Sequence, residues 1–275
     1  MISSVLTVTR PTRHTGVGHA SLRAIIGVFL LALAGQALSD QTTSAGYIGA
    51  GGIDEPAFTG AEKRRLRAIP MIDVSSRYLL VNTTRGMPEF GVHVAEGGGL
   101  KLTAIASIDR GRKASDSPIL LARQAEDIDP FPSLGLVASW KTGLGPAPVE
   151  ILLRPMRRLG DSDGWTTDLR LAVGLAEVGA FSAQAHAQTT WADGQAQRID
   201  FGLPANPAQP GSSDFAPGAG IRESRFGLSA NYMLSDRLRL LMQLERRVLD
   251  SDLGQSELVE RRSATAYALG LAWSL

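Results

Sequence analysis

The last twelve residues alternate without a break. Thr265, Tyr267, Leu269, Leu271, Trp273 and Leu275 take the odd positions; Ala264, Ala266, Ala268, Gly270, Ala272 and Ser274 take the even ones. A period of two marks a strand whose successive side chains face opposite sides of a sheet. One face is large and apolar and the other is uniformly small. That contrast predicts a strand with lipid on one side, closing a membrane β-barrel.

The same period recurs upstream. In 165–175, Trp165, Thr167, Leu169, Leu171, Val173 and Leu175 oppose Thr166, Asp168, Arg170, Ala172 and Gly174. In 181–191, Phe181, Thr189, Trp191 and three alanines oppose Ser182, Gln184, His186, Gln188 and Thr190. The segments 225–234 and 238–244 alternate on either side of Ser235-Asp236 and read as one hairpin. Weaker strands are expected at 78–94, with an interruption at 85–88, and at 100–109, 133–140, 149–156 and 197–203. Gly-rich 47–53 and 66–74 come first, and Pro70 makes the second of these edge-like. The expectation is therefore an all-β, antiparallel transmembrane β-barrel of about 12 strands. A soluble β-sandwich also alternates. Two features favour the barrel: bulky aromatics gather at the strand ends, and strand lengths approach the 9 to 11 residues of a tilted spanning strand.

The N-terminus reads as an address rather than as structure. Arg10, Arg13 and Arg23 precede the apolar run 24–34, and Ala37-Leu38-Ser39 places small residues at the −3 and −1 positions of a cut before Asp40. This is the pattern of a secretory signal peptide at 1–39, and its apolar run falls short of the roughly 20 residues of a spanning helix. The barrel domain is then 40–275, and the expected location is the cell outer membrane. Setting aside the three arginines of 1–39 leaves 25 basic and 27 acidic groups, a formal charge of −2. Such a balance argues against a nucleic-acid partner. With no cysteine in the chain, neither disulfides nor a thiol-linked lipid anchor is available.

Alternation predicts a lumen of mixed charge, with Asp168, Arg170, Arg198, Asp200, Arg239 and Glu245 as its principal members and Lys101, Glu150, Arg154, Arg247 and Asp109 beside them. Neighbouring strands are expected to pair these charges into a network that narrows the bore; an ion pathway is the other reading. Catalytic signals are poor. His93 and His186 each stand alone on an alternating strand, outside any lipase or deacylase pattern, and His186 reads as a lumen hydrogen-bonding residue. Asp161-x-Asp163-Gly164 and Asp250-x-Asp252-x-Gly254 are fragments of a calcium loop that turn chemistry explains better. No enzyme activity, cofactor or metal is expected.

Several short motifs carry a resemblance. Gly49-x-Gly51, Pro56-Ala57-Phe58-Thr59-Gly60, Arg67-Ala68-Ile69-Pro70 and Ile72-Asp73 open the mature chain. Gly111-Arg112 with Asp116, Ile199-Asp200-Phe201-Gly202 and the C-terminal strands follow. Together they resemble the MipA/OmpV family, named for an MltA-interacting protein of the outer membrane. The chain departs from that pattern at Leu275, where an aromatic is usual, and at Ser251-Asp252-Leu253-Gly254, which lacks a Ser-Pro. The resemblance implies an outer-membrane scaffold for murein (peptidoglycan) enzymes, tying a lytic transglycosylase to a murein synthase. A pore for small solutes is the alternative, and the lipid bilayer is a partner in either case.

One connection stands out by length. With both termini in the periplasm, 110–132 follows the fourth strand of this count and falls on the periplasmic side. Ser117-Pro118 reads as a helix start ahead of 119–127. This predicts one short periplasmic helix that docks the murein enzymes through Gly111, Arg112, Asp116, Ile119, Leu120 and Leu121.

Overall fold

The computed structural model of the chain describes residues 45–83, 87–204 and 214–275. The expected signal peptide and most of the proline-rich loop at 204–220 lie outside the described residues. Twelve antiparallel strands close on themselves, each bonded to its sequence neighbours and β1 to β12. They are β1 (Ala45–Pro56), β2 (Arg64–Ser75), β3 (Leu79–Asn82), β4 (Glu89–Gly97), β5 (Leu100–Asp109), β6 (Phe131–Leu144), β7 (Ala147–Arg158), β8 (Gly164–Val178), β9 (Phe181–Ala192), β10 (Gly220–Met233), β11 (Leu238–Leu249) and β12 (Ser263–Ser274). Closure is what allows a sheet to stand in lipid, where unpaired backbone groups have no water to turn to.

The faces fall as the alternation requires. On β12, Leu269, Leu271 and Trp273 are about half exposed, whereas Ala272 is 1% exposed. Trp165, Leu169, Leu171 and Leu175 of β8 also face outward, with Ala172 buried inside. Such a continuous apolar surface would be an aggregation hazard in water; on a closed barrel it is the face for lipid.

The small inward face of β12 has a packing role. Met71 of β2 lies across Gly51 and Gly270, where an added Cβ would overlap its thioether. Met71, Leu241 and Ala272 form a buried cluster with Tyr47, Ile69 and Ala268 against it. A second cluster joins Ile105, Val137, Leu152 and Met156. Apolar side chains thus fill much of the middle of the barrel.

Pro70 behaves as an edge residue. The β2–β3 ladder covers only Asp73 to Ser75. Above it, the Pro70 carbonyl accepts from the Thr83 hydroxyl at 2.8 Å, and Ile72 exchanges backbone and side-chain bonds with the same Thr83. The missing N–H of Pro70 therefore falls on the side of β2 that has left the ladder.

Two expected strands are corrected. Segment 78–94 is two strands, β3 and β4, and 197–203 is no strand: helix α2 (Gly194–Phe201) ends there. These errors offset each other in the total. They do not offset each other in the topology, because five strands now precede Arg110. Short turns at 76–78, 98–99, 145–146, 179–180 and 234–237 share one mouth with both ends of the described barrel. One of the three two-residue turns, Gly98-Gly99, has φ of +59° and +80°, the pair of positive values a type I′ hairpin turn needs. The longer connections 57–63, 110–130 and 250–262, with the described parts of 193–219, crowd the opposite mouth. The single short helix expected at the periplasmic mouth is thus corrected twice: among the described residues there are two α-helices, α1 (Pro118–Ala122) and α2, and both lie at the mouth opposite Ala45 and Leu275.

Candidate functional site: an ion-paired chamber beneath a cap of loops

The described parts of the four long connections pack on one another at their mouth. Leu120 of α1, Leu203 and Leu258 form one buried cluster, with Phe58, Ala125 and Phe215 against it. Phe201, Leu249 and Leu253 form another, bordered by Phe215 and Val259. Polar bonds tie the same loops together. Ser256 Oγ donates to the Phe201 carbonyl at 2.7 Å, Ser117 Oγ to Glu260 at 2.8 Å, and Leu203 and Phe215 exchange both backbone bonds. Arg65 of β2 pairs with Asp116. The cap therefore has an apolar core of its own, built from residues distant in sequence.

Helix α2 is its keystone. Asp193 caps the helix, accepting from Ala196 N at 2.8 Å, and also accepts from Trp165 N at 2.9 Å. At the other end, Asp200 points down into the barrel. Arg158 donates to it twice, at 2.8 and 2.9 Å, and Arg222 at 2.6 Å, while Arg112 donates to the Asp200 backbone carbonyl at 2.6 Å. Three guanidiniums also lie over rings: Arg158 over Phe131 at 4.4 Å, Arg222 over Phe201 at 5.4 Å and Arg112 over Phe58 at 5.7 Å. Burial alone would push the Asp200 carboxyl up, but Arg222 and Arg158 outweigh it and hold the group below the usual carboxylate range. Burial draws the Arg112 guanidinium down, with Asp200 opposing.

Arg222 reaches this site through an irregularity. In the β9–β10 ladder Ile221 pairs with Trp191 but Glu223 pairs with Thr190, so Arg222 is an extra residue on β10. Such a bulge re-aims side chains. Ile221 stays outside, half exposed, while Arg222 and Glu223 both turn inward.

Below the cap is a cavity of about 260 Å³. Its walls are charged on every side, and the charges are paired. Arg154 of β7 bridges Glu89 of β4 at 2.6 Å and Asp168 of β8 at 3.0 Å, and Thr190 donates to Asp168 at 2.6 Å. Arg225 bonds Glu223 at 2.6 Å, Arg247 bonds Glu245 at 2.8 Å, and His186 lies 3.4 Å from Glu245. Gly227 gives His186 its space, since a Cβ there would overlap the imidazole. Buried charges need partners of opposite sign. Here β8 supplies one to Arg154, the strand three places away supplies Glu89, and Arg225 and Arg247 find theirs two residues back on their own strands. The arrangement can hold a cap and narrow a bore.

Asp168, Arg170 and Glu245 line the chamber, and Asp200 joins them from above. Arg239 lies inside but at the other mouth, 5.2 Å from the Tyr47 ring and bonded to Ser274 Oγ. Arg198 is a correction: it is exposed on the outer side of α2, because its segment is helical. Among the expected docking residues, Arg112, Asp116 and Leu120 are buried within the cap. Gly111 is a turn residue, with φ of +67° and no room for a Cβ beside the Ile128 carbonyl. Ile119 is half-buried and Leu121 exposed. The structure consumes most of this set internally.

Arg158, Arg222, Glu223 and Glu89 were not singled out from sequence. Glu223 could have been found, since Glu223 and Arg225 continue the inward positions of the 225–234 strand. The helix also carried a signal: Asp193 ahead of Gln195-Ala196-Gln197-Arg198 is an N-cap before good helix formers.

Residues 48–275 match the family described as MltA-interacting protein MipA. No curated protein sequence matches the chain significantly. Among solved structures, the chain is similar to OmpT, an outer membrane protein of Vibrio cholerae, at 7% identity over 85% of this chain and 99% of that one, with a TM-score of 0.40. It is likewise similar to the translocator domain of the autotransporter NalP from Neisseria meningitidis, at 10% identity over 93% and 97%, with a TM-score of 0.41. The match across nearly the whole barrel, from β1 to the end of β12, makes this chain a member of the MipA family and an outer-membrane β-barrel protein.

Proposed function

We propose that this protein is a structural scaffold that holds murein-processing enzymes, a lytic transglycosylase and a murein synthase, at the inner face of the outer membrane. The observation that carries the reading is the ion-paired chamber beneath the packed loops. Its charges are spent on one another, and its mouth is stoppered by loops with their own apolar core, so the lumen serves shape more than passage. The family description, which names an interaction with MltA, supports a protein partner. His93 supports a role other than catalysis. His93 meets the hydroxyls of Ser75 at 3.1 Å and Thr103 at 2.8 Å, so no carboxylate orients it as a base for Ser75.

The docking surface is the mouth with the short turns, since barrels of this type turn short connections to the periplasm. Arg77 and Tyr78 stack there, with the Tyr78 ring exposed, and Asp236 and Arg237 lie on the β10–β11 turn. The test is capture of purified lytic transglycosylase by the folded barrel. Replacing Arg77, Tyr78, Asp236 and Arg237 with serine should abolish capture and leave the barrel folded; full capture by that variant would overturn the reading. The pore remains a second reading, favoured by the 260 Å³ chamber itself, with the cap as its gate. A large steady ohmic current from the unaltered protein would decide for it.

A further inference from the structure

On the outer wall, where β1, β2, β11 and β12 reach the long-loop mouth, a groove of about 500 Å³ is lined by Arg64, Arg246, Arg261, Ser263 and Tyr267. We propose that it binds the phosphomonoester headgroup of a lipid in the adjacent leaflet.

The position comes from strand register. Tyr267 of β12 stands beside Leu244 of β11 and Asp54 of β1, and Asp54 stands beside Leu66 of β2. Leu66, Tyr267 and Leu269 are exposed, and Asp54 between them is paired with Arg64, so this row is the upper edge of the apolar belt that continues beneath it. One step toward the mouth, Arg246 pairs across with Thr265 and Arg64 with Pro56. The guanidiniums therefore sit at the level where acyl chains end and headgroups begin, with apolar wall directly below for the chains.

The charge state of the three arginines favours an added anion. Arg64 is held rigid: it bonds Asp54, donates to the Thr265 carbonyl at 2.7 Å and lies 5.7 Å from the Tyr267 ring. Arg246 donates to Ser263 Oγ at 3.0 Å, and among the described residues no carboxylate pairs with it. Arg261 pairs with Glu62, but both side chains are well exposed, and such a pair holds so weakly that a phosphate can replace it. Among the groove's lining residues three guanidiniums thus face one carboxylate, Glu62, with Asp54 bonded to Arg64 and Glu260 to the Glu62 backbone beside them. A dianionic phosphate matches the fork geometry of arginine, whereas a zwitterionic headgroup brings no net charge to balance. A free phosphate shares that chemistry but would leave the apolar wall below unused, which commits the site to a lipid.

The test uses the mature chain folded into phosphatidylcholine nanodiscs doped with diphosphoryl lipid A, with bound lipid counted by native mass spectrometry. Arg246→Ala with Arg261→Ala should weaken retention about tenfold or more, the loss expected for charge-assisted hydrogen bonds. Arg157→Ala, on the β7 side of the same rim, should leave retention unchanged. Arg246→Gln alone, which breaks no ion pair, gives an independent reading should the double variant fail to fold, and should also lower retention. The proposal fails if these changes at Arg246 leave retention intact, if Arg157→Ala lowers it equally, or if dephosphorylated lipid A binds as well. Displacement of the lipid by inorganic phosphate at equal concentration would reassign the groove to the free anion.

Discussion

Arg222 places a guanidinium nitrogen 2.6 Å from the Asp200 carboxylate, and it does so from a strand position that regular alternation would have turned toward lipid. The pair ties the barrel wall to the cap. Arg158 completes it with two further bonds, so one carboxylate on α2 answers one buried and one half-buried cation. Removing that carboxylate leaves both cations without it. Breaking a buried pair in this way costs about 3 to 5 kcal/mol. Asp200→Asn should therefore free the cap while the barrel stays closed, seen as faster amide exchange in α2 with unchanged heat-modifiable mobility. Unchanged exchange in α2 would show that the apolar cap core suffices.

The pH dependence follows from the same group. The folded-state carboxyl lies below its ordinary value of 3.8, so its contribution is fully present above that value and is lost only as pH falls through the depressed one. The cap should stay shut through mild acid. Conductance followed down a pH series should rise only in strongly acid solution, and Asp200→Asn should remove the dependence.

His186 and Gly227 should behave as a coupled pair. Gly227→Ala inserts a methyl where the imidazole lies, an overpacking cost of about 1 to 3 kcal/mol. His186→Ala made in that background should recover most of the loss, giving a non-additive double-mutant cycle in urea titrations of the refolded protein. Additive losses would mean that the ring does not occupy that space.

Leu271→Arg, on the outer face of β12, should cost about 2 to 4 kcal/mol in bilayer stability. Gln243→Arg, on the chamber wall, should cost far less. Reversibility of folding into detergent, read as gel mobility before and after heating, compares them.

Replacing 113–129 with a short Gly/Ser linker removes α1 from the cap. The barrel should still fold, its conductance should rise, and capture of the lytic transglycosylase should persist, because this segment lies at the mouth away from the termini. Lost capture would return the docking surface to the cap.

Sequence alone determined the wall. Each residue on β8, β9, β10 and β12 that alternation turned outward or inward lies on that face, because a period of two is local and lipid on one side enforces it. The hairpin at Ser235-Asp236 and the edge character of Pro70 were legible for the same reason: each is a property of a few adjacent residues.

Tertiary structure decided what depends on distant contacts or on a global count. Seven residues from Gln197 to Leu203 alternate well enough for a strand, and a window that short cannot separate strand from helix. Asp193 as N-cap, with Arg158 and Arg222 waiting for Asp200, selects the helix and sends Arg198 outward. The bulge at Arg222 breaks the parity of β10 at one residue and reverses the side on which that arginine falls. Splitting 78–94 into β3 and β4 left the total at twelve only because 197–203 was lost as a strand, yet it moved 110–130 to the opposite mouth. A strand's face is set by its own residues, but the side on which a loop emerges is set by the number of strands before it, so one local misreading inverts every loop that follows.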